Sequence, residues 1–416
     1  MKKILLAAVA LLFTVGATAQ DIKLNRGSNM KPVNVTTPPL KHLRTDGNAR
    51  LGLDGQVARP MAKAVQRAAT PEGTAREYMV VCGDNATGVS DKYKKLLNRA
   101  YKLTFIFAAD GKTVYFNNPL YADYATETVW IKGELSADGT QLTVQAGQPL
   151  GTFFGNECVL GSIGVDIDIK TPIVFTVDAA SGGLIYTEGY IALVAVQDGK
   201  ALGFYTYQSG LQMIPMDSNL WFDEPVTRKY TALSYDGQTD GQEESTVEDI
   251  YCPVMGWHFI KGLMPAYPEG WMIAEDVEGS NDISIFNGQV VADDIAAFFD
   301  VMTSSSDPTL EYSSTFTYGA DGSYTQDEDE VLRDYFAYDM DEEENYLCGS
   351  SILYTGITLG APGTSDISSV ETGKGEPVAT EYYDLSGRRV DAAAKGVTIR
   401  VEKYADGTSK AVKTIK

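Results

Sequence analysis

Trp130-Ile131-Lys132-Gly133-Glu134, closing on Gly147-Gln148, returns 141 residues later as Trp271-Met272-Ile273-Ala274-Glu275, closing on Gly288-Gln289. At the same offset Phe175-Thr176 becomes Phe316-Thr317, Ala179 becomes Ala320, and Leu142-Thr143-Val144 becomes Ile283-Ser284-Ile285. A fixed offset with conserved apolar–hydroxyl–apolar order reads as two diverged copies of one module. Around these anchors, short apolar runs alternate with turn chemistry. Leu103–Phe107 and Val114–Phe116 flank Asp110-Gly111, Val129–Leu135 and Leu142–Val144 flank Asp138-Gly139, and Tyr190–Val196 and Leu202–Tyr207 flank Asp198-Gly199. Asp-Gly between β-branched runs favours primed hairpin turns, whose residues reach positive φ. The expected fold is therefore all-β, with two tandem up-and-down β-meander modules over 76–215 and 216–360. Each has the size of a small barrel or a sandwich. The turns lack the regular 40–50-residue spacing of propeller blades.

The second copy has further strands at Trp257–Ile260, Trp271–Ile273, Ile283–Phe286, Ser314–Tyr318 and Ile352–Ile357. Asp293-Asp294 ahead of Ile295-Ala296-Ala297-Phe298-Phe299 reads as a short helix with acids at its N-terminus.

Charge is unevenly spread along the 416 residues. Residues 1–75 carry 11 Lys/Arg against 4 Asp/Glu, residues 76–215 carry 10 against 14, residues 216–376 carry 5 against 33, and residues 377–416 carry 8 against 5. An acidic body repels nucleic-acid phosphates and anionic lipid heads, so neither is an expected partner. At the N-terminus Met1-Lys2-Lys3, the apolar run Ile4 to Val15 and Ala17-Thr18-Ala19 have the form of a secretory signal peptide over 1–19. The apolar run is too short for a stable membrane anchor, so the mature chain is expected to lack a spanning segment. Residues 20–75 are polar, basic and dotted with prolines, and read as a tether containing a short helical piece at Met61–Arg67. Residues 361–376 read as a linker.

The last segment, 377–416, contains Tyr382-Tyr383-Asp384-Leu385-Ser386-Gly387-Arg388-Arg389-Val390 and Lys395-Gly396-Val397-Thr398-Ile399. Bottom-up it is three short strands joined by turns, too few to be stable alone. It resembles the C-terminal end of type IX secretion sorting domains. Tyr383, Asp384, Leu385, Gly387, Arg388, Val390, Gly396 and Ile399 match their pattern; Val397-Thr398 stands where that pattern has Ile-Tyr. The resemblance covers about a tenth of the chain. It implies a small β sorting signal read by an outer-membrane secretion machine, with the protein secreted or displayed on the surface of a Gram-negative bacterium.

Catalytic candidates are few. Of two histidines, His42 lies in the tether and His258 follows Trp257 in an expected strand, where a packed strand histidine is the plainer reading. GxSxG, HExxH, P-loop and GxGxxG patterns are absent. Cys82, Cys158, Cys252 and Cys348 allow three pairings and lack zinc or redox spacing. Carboxylate pairs such as Asp166 and Asp168 are too many to nominate a glycosidase pair. Asp327, Asp329, Asp339 and Asp341 offer hard oxygen ligands for calcium, though without an EF-hand loop; no other cofactor is expected. The recurrent Trp130/Glu134 and Trp271/Glu275 pairs lie four apart. On a strand that places ring and carboxylate on one face, suited to stacking a sugar and accepting its hydroxyls. The expected function is a secreted or surface all-β binding or scaffold protein for a glycan or a host or matrix protein. The rivals are a secreted carboxylate-dependent hydrolase and a lipocalin-like carrier.

Overall fold

A computed structural model describes residues 69–363, apart from 126, 179–181, 217–220, 237–239, 303–306, 342 and 344. In the tail it describes 379–383, 389–390, 397–403 and 409–415. The signal peptide, most of the tether (His42 and Met61–Arg67 included), most of the linker, Ala179, and Asp384, Leu385, Gly387, Arg388 and Gly396 lie outside the described residues. The chain divides into two compact units, Met1–Gly363 and Thr364–Lys416.

The first unit is all-β. The helix among its described residues is one five-residue element, α1 (Val89–Tyr93). Its first half contains β1 (Thr74–Asp84), β2 (Leu97–Phe107), β3 (Thr113–Asn117), β4 (Trp130–Leu135), β5 (Gln141–Val144), β6 (Pro149–Phe153), β7 (Asn156–Ile163), β8 (Ile167–Asp168), β9 (Ile173–Val177), β10 (Leu184–Gln197) and β11 (Lys200–Pro215). Antiparallel pairing runs β1-β2-β3-β4-β5-β9-β10-β11 and returns to β1, closing a barrel. Closure removes the exposed edges of an open sheet. The second half contains β12 (Val226–Tyr235), β13 (Asp240–Cys252), β14 (Trp257–Lys261), β15 (Trp271–Asp276), β16 (Ile283–Phe286), β17 (Gln289–Ala292), β18 (Ile295–Val301), β19 (Ser313–Tyr318), β20 (Tyr324–Thr325), β21 (Glu330–Met340), β22 (Tyr346–Gly349) and β23 (Leu353–Gly363). Here the path β12-β13-β14-β15-β16-β19-β20-β23 returns to β12.

The two rings share register as well as order. Glu134 faces Thr143 and Leu142 faces Phe175; 141 residues on, Glu275 faces Ser284 and Ile283 faces Phe316. Each ring leaves a strict meander at the same place. The excursion β6–β8 lies between β5 and β9, with β7 pairing the second half of β10. The excursion β17–β18 lies between β16 and β19, with β18 pairing β21.

Period-two alternation aims one face of every strand inward, and both interiors are filled by side chains. The first holds Tyr78, Phe105, Phe116, Ile131, Phe175 and Leu193, among others. The second holds Tyr230, Ile260, Met272, Phe299, Phe316 and Leu332. The outer faces of β1 and β2 meet those of β13, β14 and β15 in a third apolar cluster with Met79, Val81, Ile250, Trp257, Phe259 and Trp271. At this seam β2 also pairs in parallel with β17, Asn98 to Gln289 and Arg99 to Val290.

The short helix expected after Asp293-Asp294 is instead β18. Ile295, Ala297 and Phe299 enter the second core, while Ala296 and Phe298 enter a smaller cluster with Val89 and Leu97. Burial on both faces needs an extended chain, and that overrides the helical preference of the alanines. The two acids form the β17–β18 turn, with Asp294 at φ 63°. A primed turn occurs at Asp198-Gly199, both with positive φ, but at Asp110-Gly111 and Asp138-Gly139 only the glycine is positive. There the aspartate carboxylate accepts backbone N–H groups of the turn instead, from Lys112 and Thr113 in the first case.

In the second unit β24 (Ala379–Tyr383), β25 (Arg389–Val390), β26 (Val397–Lys403) and β27 (Ser409–Ile415) form an antiparallel sheet in the order β25-β24-β26-β27. It has four strands where the residues suggested three. Tyr383 pairs with Ile399, and Tyr382 with Val390.

A candidate binding cleft between the two barrels

Where β2 crosses the second barrel, the β3–β4 connection and residues 266–270 stand on either side of it. Together with residues 290–293 they enclose a cleft of about 630 Å³. That is within the usual range for ligand sites. The wall from the first barrel includes Lys102, Thr104, Asn117, Asp123, Tyr124 and Glu127; the wall from the second includes Tyr267, Glu269, Val291 and Asp293.

The polar floor is built by residues far apart in sequence. Arg99 on β2 bonds Asp84 of β1 at 3.1 Å and Asp293 of the β17–β18 turn at 2.8 Å. Asp293 and Asp123 bond reciprocally, each backbone N–H donating to the other's carboxylate at 2.8 Å. Asp294 accepts the Tyr121 hydroxyl at 2.8 Å and the Thr87 N–H at 2.9 Å. Gln208 donates to Asp84 at 2.7 Å and accepts from Tyr101 at 2.9 Å. Burying carboxylates is costly without such partners, so the network fixes how the two barrels meet.

Burial pushes the Asp293 carboxyl up to about 8. Arg99 works against this, while Asp123, Asp84 and Asp294 add to it. Burial works to lower the Arg99 guanidinium, but Asp293, Asp84 and Asp123 outweigh it and drive it well above its ordinary value. Burial thus favours the protonated carboxyl, while Arg99 favours the carboxylate. The Asp293 side chain is fully buried, so it serves as a structural hydrogen-bonding group.

The residues singled out by sequence are scattered. Trp271 is 4 % exposed in the seam, with Lys102 Nζ 4.8 Å from its ring centroid, so its ring cannot stack on a sugar. Glu275 is half-buried opposite Trp257. Trp130, at the equivalent position, is half-buried on the outer face of the first barrel, two residues from Lys132 and on the same face as the exposed Glu134. Lys132 and Glu134 pair at 3.3 Å. Asp327, Asp329, Asp339 and Asp341 are exposed. Asp327 accepts the Asp329 N–H, and Asp341 accepts those of Glu343 and Asn345, so both act as turn caps. Among the described residues, three or more His, Cys, Asp or Glu side chains do not gather as a metal site would require. Asp168 caps a turn through the Lys170 and Thr171 N–H groups.

His258 projects into one end of the second barrel, where Nδ1 lies 2.8 Å from Asp249 and Nε2 3.6 Å from Asp276. Arg228 bonds the same Asp249 at 2.7 Å and donates to the carbonyls of Gly322 and Gly360. Burial works to raise the Asp249 carboxyl, but His258 and Arg228 hold it below the usual range. This is a satisfied ion cluster closing the barrel end. The four cysteines are free thiols. Burial pushes Cys158 up to about 12 and Cys348 to about 11, which leaves little thiolate for nucleophilic chemistry.

Sequence reasoning missed Asp84, Arg99, Tyr121 and Asp123. Asp293 and Asp294 read in the sequence only as the start of a helix. Their partners lie up to 207 residues away, a distance no local pattern reports. Among the described residues no helix is long and apolar enough to cross a membrane. Comparison with protein-family models, with curated proteins and with solved structures finds no match.

Proposed function

We propose that the chain is a binding protein delivered to the cell surface of a Gram-negative bacterium, and that it takes its ligand in the cleft between the barrels. One observation carries the reading: two filled barrels enclose a cleft lined from both sides and set on a hydrogen-bonded polar floor. Packed interiors favour this over a carrier holding its cargo inside a barrel. Asp293, the acid at the floor, is fully buried against Arg99, which favours a part in holding the site over a part in hydrolysis. The shared strand order and register support descent of the two barrels from one unit. Export rests on the basic-then-apolar start and on the tail's resemblance to type IX sorting segments.

Two measurements test the two parts. In a host carrying the type IX machinery, removal of residues 377–416 should trap the protein in the periplasm, with the wild-type chain at the surface. Unchanged surface display would end the sorting assignment. For the cleft, spin labels or bulky adducts at Cys introduced in place of Thr104 and Glu269 should block ligand capture from host or matrix extracts. Capture unaffected by both would remove the cleft as the site.

A further inference from the structure

Resting on the cleft as the ligand site, we infer that it recognises a lysine or arginine side chain carried on an extended segment of a partner protein. Acid outnumbers base along its walls. Asp84, Asp123 and Asp293 all act on the single Arg99 at the floor, so that guanidinium is already committed. Lys102 is committed too, with Nζ 2.5 Å from Glu248 and over the Trp271 ring. At the rim Asp123 and Glu127 are exposed, and neither forms an ion pair among the described residues. Glu269 shares its charge with Lys261 at 2.6 Å. The walls therefore present negative charge, and low-dielectric surroundings focus that field into the cleft.

Tyr124 is half-buried, edge-on to Tyr121 and tilted against Phe154, and Tyr267 directs its hydroxyl to Asp334 at 2.8 Å. Lys102 shows how a cation is held in this wall, with its Nζ against the Glu248 carboxylate. A volume of about 630 Å³ holds a few residues of extended chain, which is more than a lone ammonium needs.

Calorimetric titration of the full chain with the hexapeptide Gly-Lys-Gly-Lys-Gly-Lys tests this. The comparison ligands are its Gln-for-Lys counterpart, spermidine and maltohexaose. The Lys peptide should bind at least tenfold more tightly than the Gln peptide and than spermidine. The double substitution Asp123→Asn with Glu127→Gln should weaken it at least tenfold. The distant pair Asp327→Asn with Glu328→Gln should leave it unchanged. Should the Asp123 variant fold poorly, Glu127→Lys alone, at an exposed position, should give the same loss. Equal loss in the near and distant variants would overturn the inference as diffuse charge attraction, and spermidine binding as tightly as the peptide would remove the protein segment. Maltohexaose binding sensitive to Glu127→Lys, without peptide binding, would overturn the cation and leave the cleft standing. Failure of every ligand to bind would overturn the cationic guest, while the blocking experiment above decides the cleft separately.

Discussion

Gln148 and Gln289 make the same three hydrogen bonds in the two barrels. Gln148 Oε1 accepts the Lys132 N–H at 2.8 Å, and its Nε2 donates to the carbonyls of Lys132 and Gln145. Gln289 Oε1 accepts the Ile273 N–H at 2.6 Å, and its Nε2 donates to the carbonyls of Ile273 and Phe286. The ladder between β4 and β5 ends at Gly133–Val144, and that between β15 and β16 ends at Ala274–Ile285. The next backbone N–H and C=O would be orphaned, so the amide side chain continues the ladder in place of a strand.

The two glutamines differ in surroundings, and that separates their expected effects. Gln289 is 2 % exposed, so Gln289→Leu leaves buried backbone groups unpaired and should cost about 2–4 kcal/mol. Gln148 is half-buried, and water can replace it, so Gln148→Leu should cost about 1 kcal/mol. Urea unfolding of the two variants checks the order.

The equivalent tryptophans should diverge in the same way. Trp271→Ala empties a position in the seam and removes the ring beneath Lys102, for an expected loss of about 3–5 kcal/mol. Trp130→Ala, at the corresponding half-buried outer position, should cost about 1 kcal/mol. Equal losses would mean that the seam contributes little to stability.

Arg99→Met should destabilise by about 3–5 kcal/mol, because it leaves the Asp84 carboxylate buried without its cation and takes a hydrogen-bond donor from Asp293. Adding Asp84→Asn to that variant should recover part of the loss, since an amide is cheaper to bury than a carboxylate. A double-mutant cycle in urea reads the coupling.

Asp293 sets a pH dependence with a definite sign. Its folded pKa, about 8, lies above the ordinary carboxyl value of 3.8, so between these limits the folded state holds a proton that the unfolded state has lost. Stability from this group is full below the lower limit and is lost as pH rises through the upper one. Asp293→Asn should flatten the difference in melting temperature across pH 4–8. Calorimetric scans of wild type and variant through that range measure it, and parallel curves would remove Asp293 as the source.

The amino-acid sequence by itself determined the strand-rich class and the equivalence of Trp130 with Trp271 and of Gln148 with Gln289. Both rest on signals carried in the chain itself: side chains alternate every two residues along a strand, and matching residues recur at a fixed offset. It also exposed the charge contrast between the two halves. Only the tertiary structure decided that Ile295–Val301 is extended, because burial on both faces depends on what packs against it. The same holds for Trp271, buried where Trp130 is not, since the covering surface comes from β1 and β2. The cleft and its floor were illegible for the same reason. Asp84, Arg99, Asp123 and Asp293 meet only after both barrels close and dock, and pairings over such separations leave no periodicity in the chain to be read.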